Sequence, residues 1–400
     1  MSQSITYRFL IYLLAGSILV PQFFSSCSTR NAQQKSLSAQ LAFEAQTIDS
    51  AISIGYGITT GDVDGDGRQD ILLADKKQIV WYRNSDWKKF LIAENLTESD
   101  NVCIAARDIN GDGKVEVAVG AQWNPGETTD TVASGAVFYL ERTNDPTVQW
   151  RPIKLSHEPT VHRMKWIQSS PGNFQLVVVP LHGRGNKGGE GNGVKVYAYQ
   201  YTPANTSQWP ITLLDSSMHL THNFEIIETG SVSTTGFYLG GKEGVRFVPM
   251  DTRRSGGKLS MYNPTGEIRT GHLGTETFFS TIEPMHGNQL VVYEKGSSAN
   301  KLILDDELKE GHALATGDFL GTGSDMVVAG WRTPNAQGKV GIKIYWKSNA
   351  DQQWKSQWID ENGMACEDLL IKDLNGDGKP DIIASGRSTK NVKIYWNRAR

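Results

Sequence analysis

The stretch that most limits what this chain can fold into is Gly61-Asp62-Val63-Asp64-Gly65-Asp66-Gly67-Arg68-Gln69-Asp70, followed at once by Ile71-Leu72-Leu73-Ala74. Carboxylates at alternate positions with glycines between them let a tight loop turn its oxygens inward onto a hard cation. Asp62, Asp64, Asp66 and Asp70 offer side-chain oxygens and Arg68 a carbonyl, which is calcium-type ligation. An EF-hand begins the same way but needs a helix on each side and a Glu closing the loop. Here an apolar strand-like run follows instead, so the loop is read as a strand-to-strand turn held by an ion.

The stretch recurs. Asp108, Asn110, Asp112 and Glu116 precede Val117-Ala118-Val119-Gly120, and Asp373, Asn375, Asp377 and Asp381 precede Ile382-Ile383-Ala384. A decayed copy runs from Asp318 to Asp325 ahead of Met326-Val327-Val328-Ala329. These copies resemble the FG-GAP/VCBS repeat family, calcium-loop propellers that include the integrin α-subunit head.

The spacing sets the architecture. Asp62 to Asp108 is 46 residues and Asp318 to Asp373 is 55; the 210 residues from Asp108 to Asp318 hold four such steps. Three degenerate repeats must lie between, with second strands assigned to Gln175–Pro180, Phe237–Gly241 and Gln289–Tyr293. A repeat of this length suits a four-stranded propeller blade and is too long for a solenoid coil. The expectation is an all-β, seven-bladed propeller over residues 41–400. The last repeat runs out before a fourth strand, and Phe43–Ile48 is a strand without a blade. That N-terminal strand is expected to complete the last blade and hide both sheet edges. The Trp81-Tyr82, Tyr345-Trp346 and Tyr395-Trp396 pairs are read as blade packing.

A formal charge of -3 and the absence of any basic run give no case for nucleic acid as a partner. Three cysteines make no disulfide framework. Cys27 follows an apolar run from Phe9 to Val20, too short to span a membrane, and the small residues Ser25 and Ser26. Residues 1–26 therefore look like a bacterial lipoprotein signal with Cys27 lipidated, although Phe24 stands where Leu is usual; an ordinary cleaved signal is the alternative. Residues 27–40, rich in Ser, Gln and Ala, read as a tether. The expected location is the bacterial cell envelope, periplasmic or outer-membrane, on a lipid anchor. Cys103 and Cys366 are read as buried thiols.

Counting six residues back from each repeat's first acidic position reaches the start of the innermost strand. The count gives Tyr56, Val102, His162, His222, His312 and Glu367, with Glu276 near the equivalent place in the fifth repeat. Innermost strands line the central channel, so His162, His222, His312 and Glu367 are expected to converge there. Neutral imidazoles with a carboxylate suit a first-row divalent ion, zinc foremost. The alternative is a set of channel residues bonded to water and to one another. The loops between second and third strands share that face. They carry His182 and Arg184, Glu243, Trp331 and Arg332, and Arg387, with Arg163 beside His162. Together they make a polar axial well for a small, oxygen-rich ligand. His286 is placed in a turn on the opposite, calcium-loop face and read as structural.

The stretches Pro180-Leu181-His182-Gly183-Arg184-Gly185, Thr221-His222-Asn223-Phe224, Ile282-Glu283-Pro284-Met285-His286-Gly287-Asn288, Gly311-His312-Ala313, Ala329-Gly330-Trp331-Arg332 and Ala365-Cys366-Glu367-Asp368 resemble a bacterial branch of these propellers. The same set is similar to the N-terminal propeller of aldos-2-ulose dehydratases, which eliminate water from 1,5-anhydro-fructose and related osones. Their cupin domains have no counterpart here. The resemblance implies β-elimination from a keto-sugar: an axial divalent ion polarising the carbonyl, His182 or Glu276 as base, and Arg184 or Arg332 stabilising the enolate. Tyr56, Arg163, Asn223, Glu243, Trp331 and Arg387 would bind the substrate. A non-catalytic propeller binding glycan or a protein partner is the competing reading.

Overall fold

In the computed structural model the described residues are 40–203, 207–259, 263–297 and 300–399. Among them there is no α-helix; they form 28 strands in seven four-stranded antiparallel sheets. Six sheets are built from consecutive strands: β2–β5 (57–94), β6–β9 (103–155), β10–β13 (161–215), β14–β17 (221–259), β18–β21 (267–305) and β22–β25 (311–361). The seventh joins β26 (Cys366–Lys372), β27 (Asp381–Gly386) and β28 (Asn391–Asn397) to the N-terminal β1 (Phe43–Asp49). β1 pairs antiparallel with β28 from Phe43 opposite Asn397 to Asp49 opposite Val392. The first strand of each blade packs against the first strand of the next, and β26 packs against β2, so these seven strands ring an axis.

The sequence explains the local choices. Second and third strands, such as Ile71–Ala74 and Gln78–Tyr82, are covered by neighbouring blades on both faces and read as continuous apolar runs. Fourth strands lie at the rim and are the most exposed; Leu302 and Ile303 in β21 are among the few large apolar residues left exposed. The core is accordingly a series of inter-blade clusters, for example Leu72, Trp81, Ile104 and Val119 between blades 1 and 2. Trp81, Tyr82, Tyr345 and Tyr395 are buried in it, and so are the free thiols of Cys103 and Cys366.

A repeated polar clamp also ties blades together. Tyr345 Oη and Lys343 Nζ of blade 6 donate to Asp305 Oδ2 at the end of blade 5, at 2.7 and 2.9 Å. Tyr395 and Lys393 of blade 7 do the same to Asp360 of blade 6, at 2.7 and 2.8 Å. Tyr82 of blade 1 donates to Asp49 at 2.7 Å. Asp49 thus does for β1 what the fourth-strand aspartates do in other blades.

One strand assignment is corrected. Gln289–Glu294 is β20, the third strand of blade 5; its second strand is Glu276–Glu283, β19. Blade 5 turns from first to second strand through a tight hairpin at Gly274, with no acidic loop to mark it. The shift moves Glu276 and His286 to faces opposite those expected. Residues 1–39, with Cys27 and the signal segment, lie outside the described residues.

Candidate functional site

The first strands of blades 3, 4, 6 and 7 share a device that blades 1, 2 and 5 lack. In blade 3 Val161 faces Pro180 and Arg163 faces Val179, leaving His162 as an extra residue. Blade 4 places two residues, His222 and Asn223, against one. Blades 6 and 7 slip in the same way at His312 and Glu367. Successive side chains of a regular strand point to opposite faces, whereas a bulge lets two neighbours share one. His162 and Arg163, His222 and Asn223, and Glu367 and Asp368 can therefore all turn toward the axis. The four bulged residues are at most 4 % exposed.

Three imidazoles gather there: ring nitrogens of His222, His286 and His312 lie within 4.8 Å of one another. His286 comes from the loop between β19 and β20, and its Nε2 is 2.6 Å from His222 Nε2. Backbone carbonyls orient the other rings. His222 Nδ1 donates to Gly266 O at 3.0 Å, and His312 Nδ1 donates to Glu367 O at 2.5 Å. Each such bond leaves Nε2 without a proton, the tautomer a metal ligand needs, and that of His222 accepts from His286 Nε2. Burial, with Arg163 and Arg332 nearby, holds His222 and His312 well below the usual histidine range, and His286 falls to about 2, chiefly through burial. The rings are neutral at pH 7.

His162 stands beside this group, its ring stacked on Trp123 at 5.0 Å and edge-on to His222 at 4.7 Å. Its Nδ1 donates to His222 O, and Arg163 donates to its Nε2, each at 3.1 Å. Its lone pair is therefore engaged, and the rings whose nitrogens cluster are His222, His286 and His312, not His162. Glu367 also drops out. Its carboxylate is held by Arg332 at 3.2 Å and Arg387 at 2.9 Å. The carboxylate that faces the imidazoles is Glu267, at the start of β18, with Oε1 3.1 Å from His222 Nδ1. Burial raises its pKa.

The remaining candidates separate. Glu276 begins β19 on the loop face, is half-exposed and pairs with Lys295 at 3.2 Å, so it is not placed to act as base at the axis. Trp331 is 1 % exposed, donates to Lys339 O and packs on Trp358; it belongs to the core, not to a ligand wall. Arg184 is exposed and pairs with Glu158 at 2.9 Å. His182 is bridged by its backbone to Leu220, and burial lowers its pKa. Glu243 accepts from His219 Nδ1 at 2.7 Å on the rim. Tyr56, Arg163 and Asn223 line an axial cavity of about 470 Å³ that continues to Arg107 and Ile371 near the far ends of the first strands. None of the four histidines lines it.

The acidic loops share one conformation. Asp62, Asp108 and Asp373 each accept two backbone N–H bonds, from Gly65 and Gly67, Gly111 and Gly113, and Gly376 and Gly378, between 2.6 and 3.0 Å. Gly65 and Gly67 have φ of 85° and 84°, which side chains resist. Asp70 accepts from Val63 N and Asn84 N, and burial pushes it up to about 7, as it does Glu116. Ligand atoms of Asp62, Asp64 and Asp70 lie within 4.8 Å of one another. The blade 6 copy keeps the backbone, with Asp318 accepting from Thr322 and Gly323, but Met326 stands where Asp70 would.

Residues 41–119 match the FG-GAP-like repeat family. No curated protein matches the chain. A chain of the mitotic checkpoint complex crystal structure is similar at 10 % identity and a TM-score of 0.54, over 96 % of this chain and 98 % of that one. BBS1N, in crystals of its complex with ARL6DN soaked with lead, is similar at 10 % identity and a TM-score of 0.54, over 89 % and 96 %. At such identities the likeness concerns the fold alone.

Proposed function

We propose that His222, His286 and His312 hold a first-row divalent ion, zinc foremost, and that the chain is a lyase removing water from a keto- or anhydro-sugar. The observation that carries this reading is the convergence of three neutral imidazoles, two of them with Nδ1 tied to a carbonyl. Ligands of one zinc ion stand roughly 3.3 Å apart, so His286 would draw back from His222 to admit it. The ion supplies Lewis acidity toward a carbonyl oxygen. Arg332 and Arg387, already aligned by Glu367, would orient or stabilise developing negative charge. The acidic loops of blades 1, 2 and 7 would take calcium, which would compensate the buried charge of Asp70 and Glu116. Lipidation at Cys27 would anchor the chain in a bacterial envelope.

The competing reading is a propeller that binds glycan or a protein partner without chemistry; it is favoured by the absence of histidines from the axial cavity wall. Incubating the metal-analysed protein with 1,5-anhydro-fructose and with 3-keto-sugars tests the two. The lyase reading expects growth of conjugated-enone absorbance that stops on chelation. A metal-loaded protein inert on all of these sugars supports binding alone.

A further inference from the structure

The axial cavity has an uneven wall. Blades 1, 2 and 6 line it mostly with small or apolar residues such as Gly57, Thr59, Ala105 and Ala315, with Arg107 paired to Glu228, while blades 3, 4, 5 and 7 give it Arg163, Lys165, Glu225, Arg269 and Asp368. Arg269 is balanced, with Glu267 at 3.4 Å and Glu225 at 3.9 Å. Arg163 and Lys165 are balanced only beyond contact distance, Lys165 by Glu225, Glu267 and Asp368 and Arg163 by Glu267 and Asp368. Arg163 donates to His162, and Lys165 donates to Phe224 O at 2.6 Å; among the described residues no carboxylate pairs with either. They stand two apart on β10, so their side chains leave the same face about 7 Å apart. Asp368 accepts only backbone N–H groups, from Ile58 and Leu369, each at 3.0 Å, and keeps acceptor capacity. Cations with no carboxylate in direct contact keep donors for an anion, and the open space of about 470 Å³ lies directly before these two.

We propose that this chamber binds a small hydroxylated carboxylate of monosaccharide size. Its carboxylate would lie across Arg163 and Lys165 and a hydroxyl would donate to Asp368; a planar guanidinium beside an ammonium suits an anionic head. No imidazole lines the chamber, although Arg163 reaches from it to His162, and binding there does not depend on a metal at the imidazoles.

The test is calorimetric titration of the full chain with methyl α-glucuronoside and with methyl α-glucoside, which differ only in carboxylate against hydroxymethyl. The glucuronoside is expected to bind about tenfold tighter or more. Lys165→Met should remove that preference while leaving the melting temperature and the divalent-metal content unchanged, so that a loss is not read as failure of the imidazole site. Thr59→Phe, which fills the chamber from the uncharged wall, should abolish binding of both sugars. Equal binding of the two sugars, no binding of either, or a preference that survives Lys165→Met would overturn the proposal.

Discussion

Blades 1 and 2 differ from blades 3, 4 and 6 in where each keeps its polar groups. The first pair has intact acidic loops between first and second strands, an in-register first strand, and small residues at the axis, such as Gly57, Cys103 and Ala105. The other three have lost the acidic loop or kept only its backbone, and begin with a bulge that turns a histidine inward. Blade 7 has both, with an intact loop at Asp373 and a bulge at Glu367. Acidic loops and inward-turned side chains can thus vary separately in one repeat, because they sit at opposite ends of the same strand.

The comparison breaks most visibly if the loops take no ion. A ligand present at 100 times its dissociation constant stabilises by about 2.7 kcal/mol per site. Removing calcium with a selective chelator should therefore lower the melting midpoint by several degrees. Asp62→Ala should cost more of the calcium response than Asp108→Ala. Loop 1 has four side-chain carboxylates, whereas loop 2 has Asn110 in place of one and an Arg142 to Asp112 ion pair at 2.6 Å. Melting curves indifferent to calcium would leave the loops as ordinary turns.

A smaller effect concerns the clamps that join blades of both kinds. Tyr345→Phe should destabilise by about 1 kcal/mol, one net hydrogen bond. Burial alone would raise the carboxyls of Asp49 and Asp305, but hydrogen bonds from Lys and Tyr outweigh it and hold both below the ordinary range. A depressed folded-state pKa gives stability that is present above the unfolded value, near 3.9, and is lost as pH falls through the folded one. The gap in stability between Tyr345→Phe and the parent should accordingly narrow on acidification below that range. A gap independent of pH would remove Asp305 from the clamp. At the bottom of the scale, Arg184→Ala breaks an exposed ion pair and should shift stability by no more than about 0.5 kcal/mol.

What the sequence made legible follows from how local each feature is. An acidic loop is a contiguous pattern, so Asp62, Asp108, Asp373 and the decayed copy at Asp318 phase four blades. The six-residue offset then reaches His162, His222, His312 and Glu367, although first strands run from five residues in β2 and β6 to ten in β10. Blade 5 has neither loop nor bulge, and Thr277–Ile282 is broken by Ser280 and Thr281 whereas Leu290-Val291-Val292-Tyr293 is an unbroken apolar run, so the sequence pattern points one strand late. That offset alone puts His286 and Glu276 on the wrong faces. Side-chain competition could not be read at all: nothing in the chain announces that Arg332 and Arg387 occupy Glu367, or that Arg163 occupies Nε2 of His162.

The axial centre is tested most directly by elemental analysis of two variants alongside the parent protein after dialysis against calcium alone. The account expects one tightly held first-row divalent ion per chain in the parent, its retention in His162→Ala, and its loss in His286→Ala. Metal content unchanged by His286→Ala, or lost with His162→Ala instead, would contradict the ligand set on which the proposed chemistry rests.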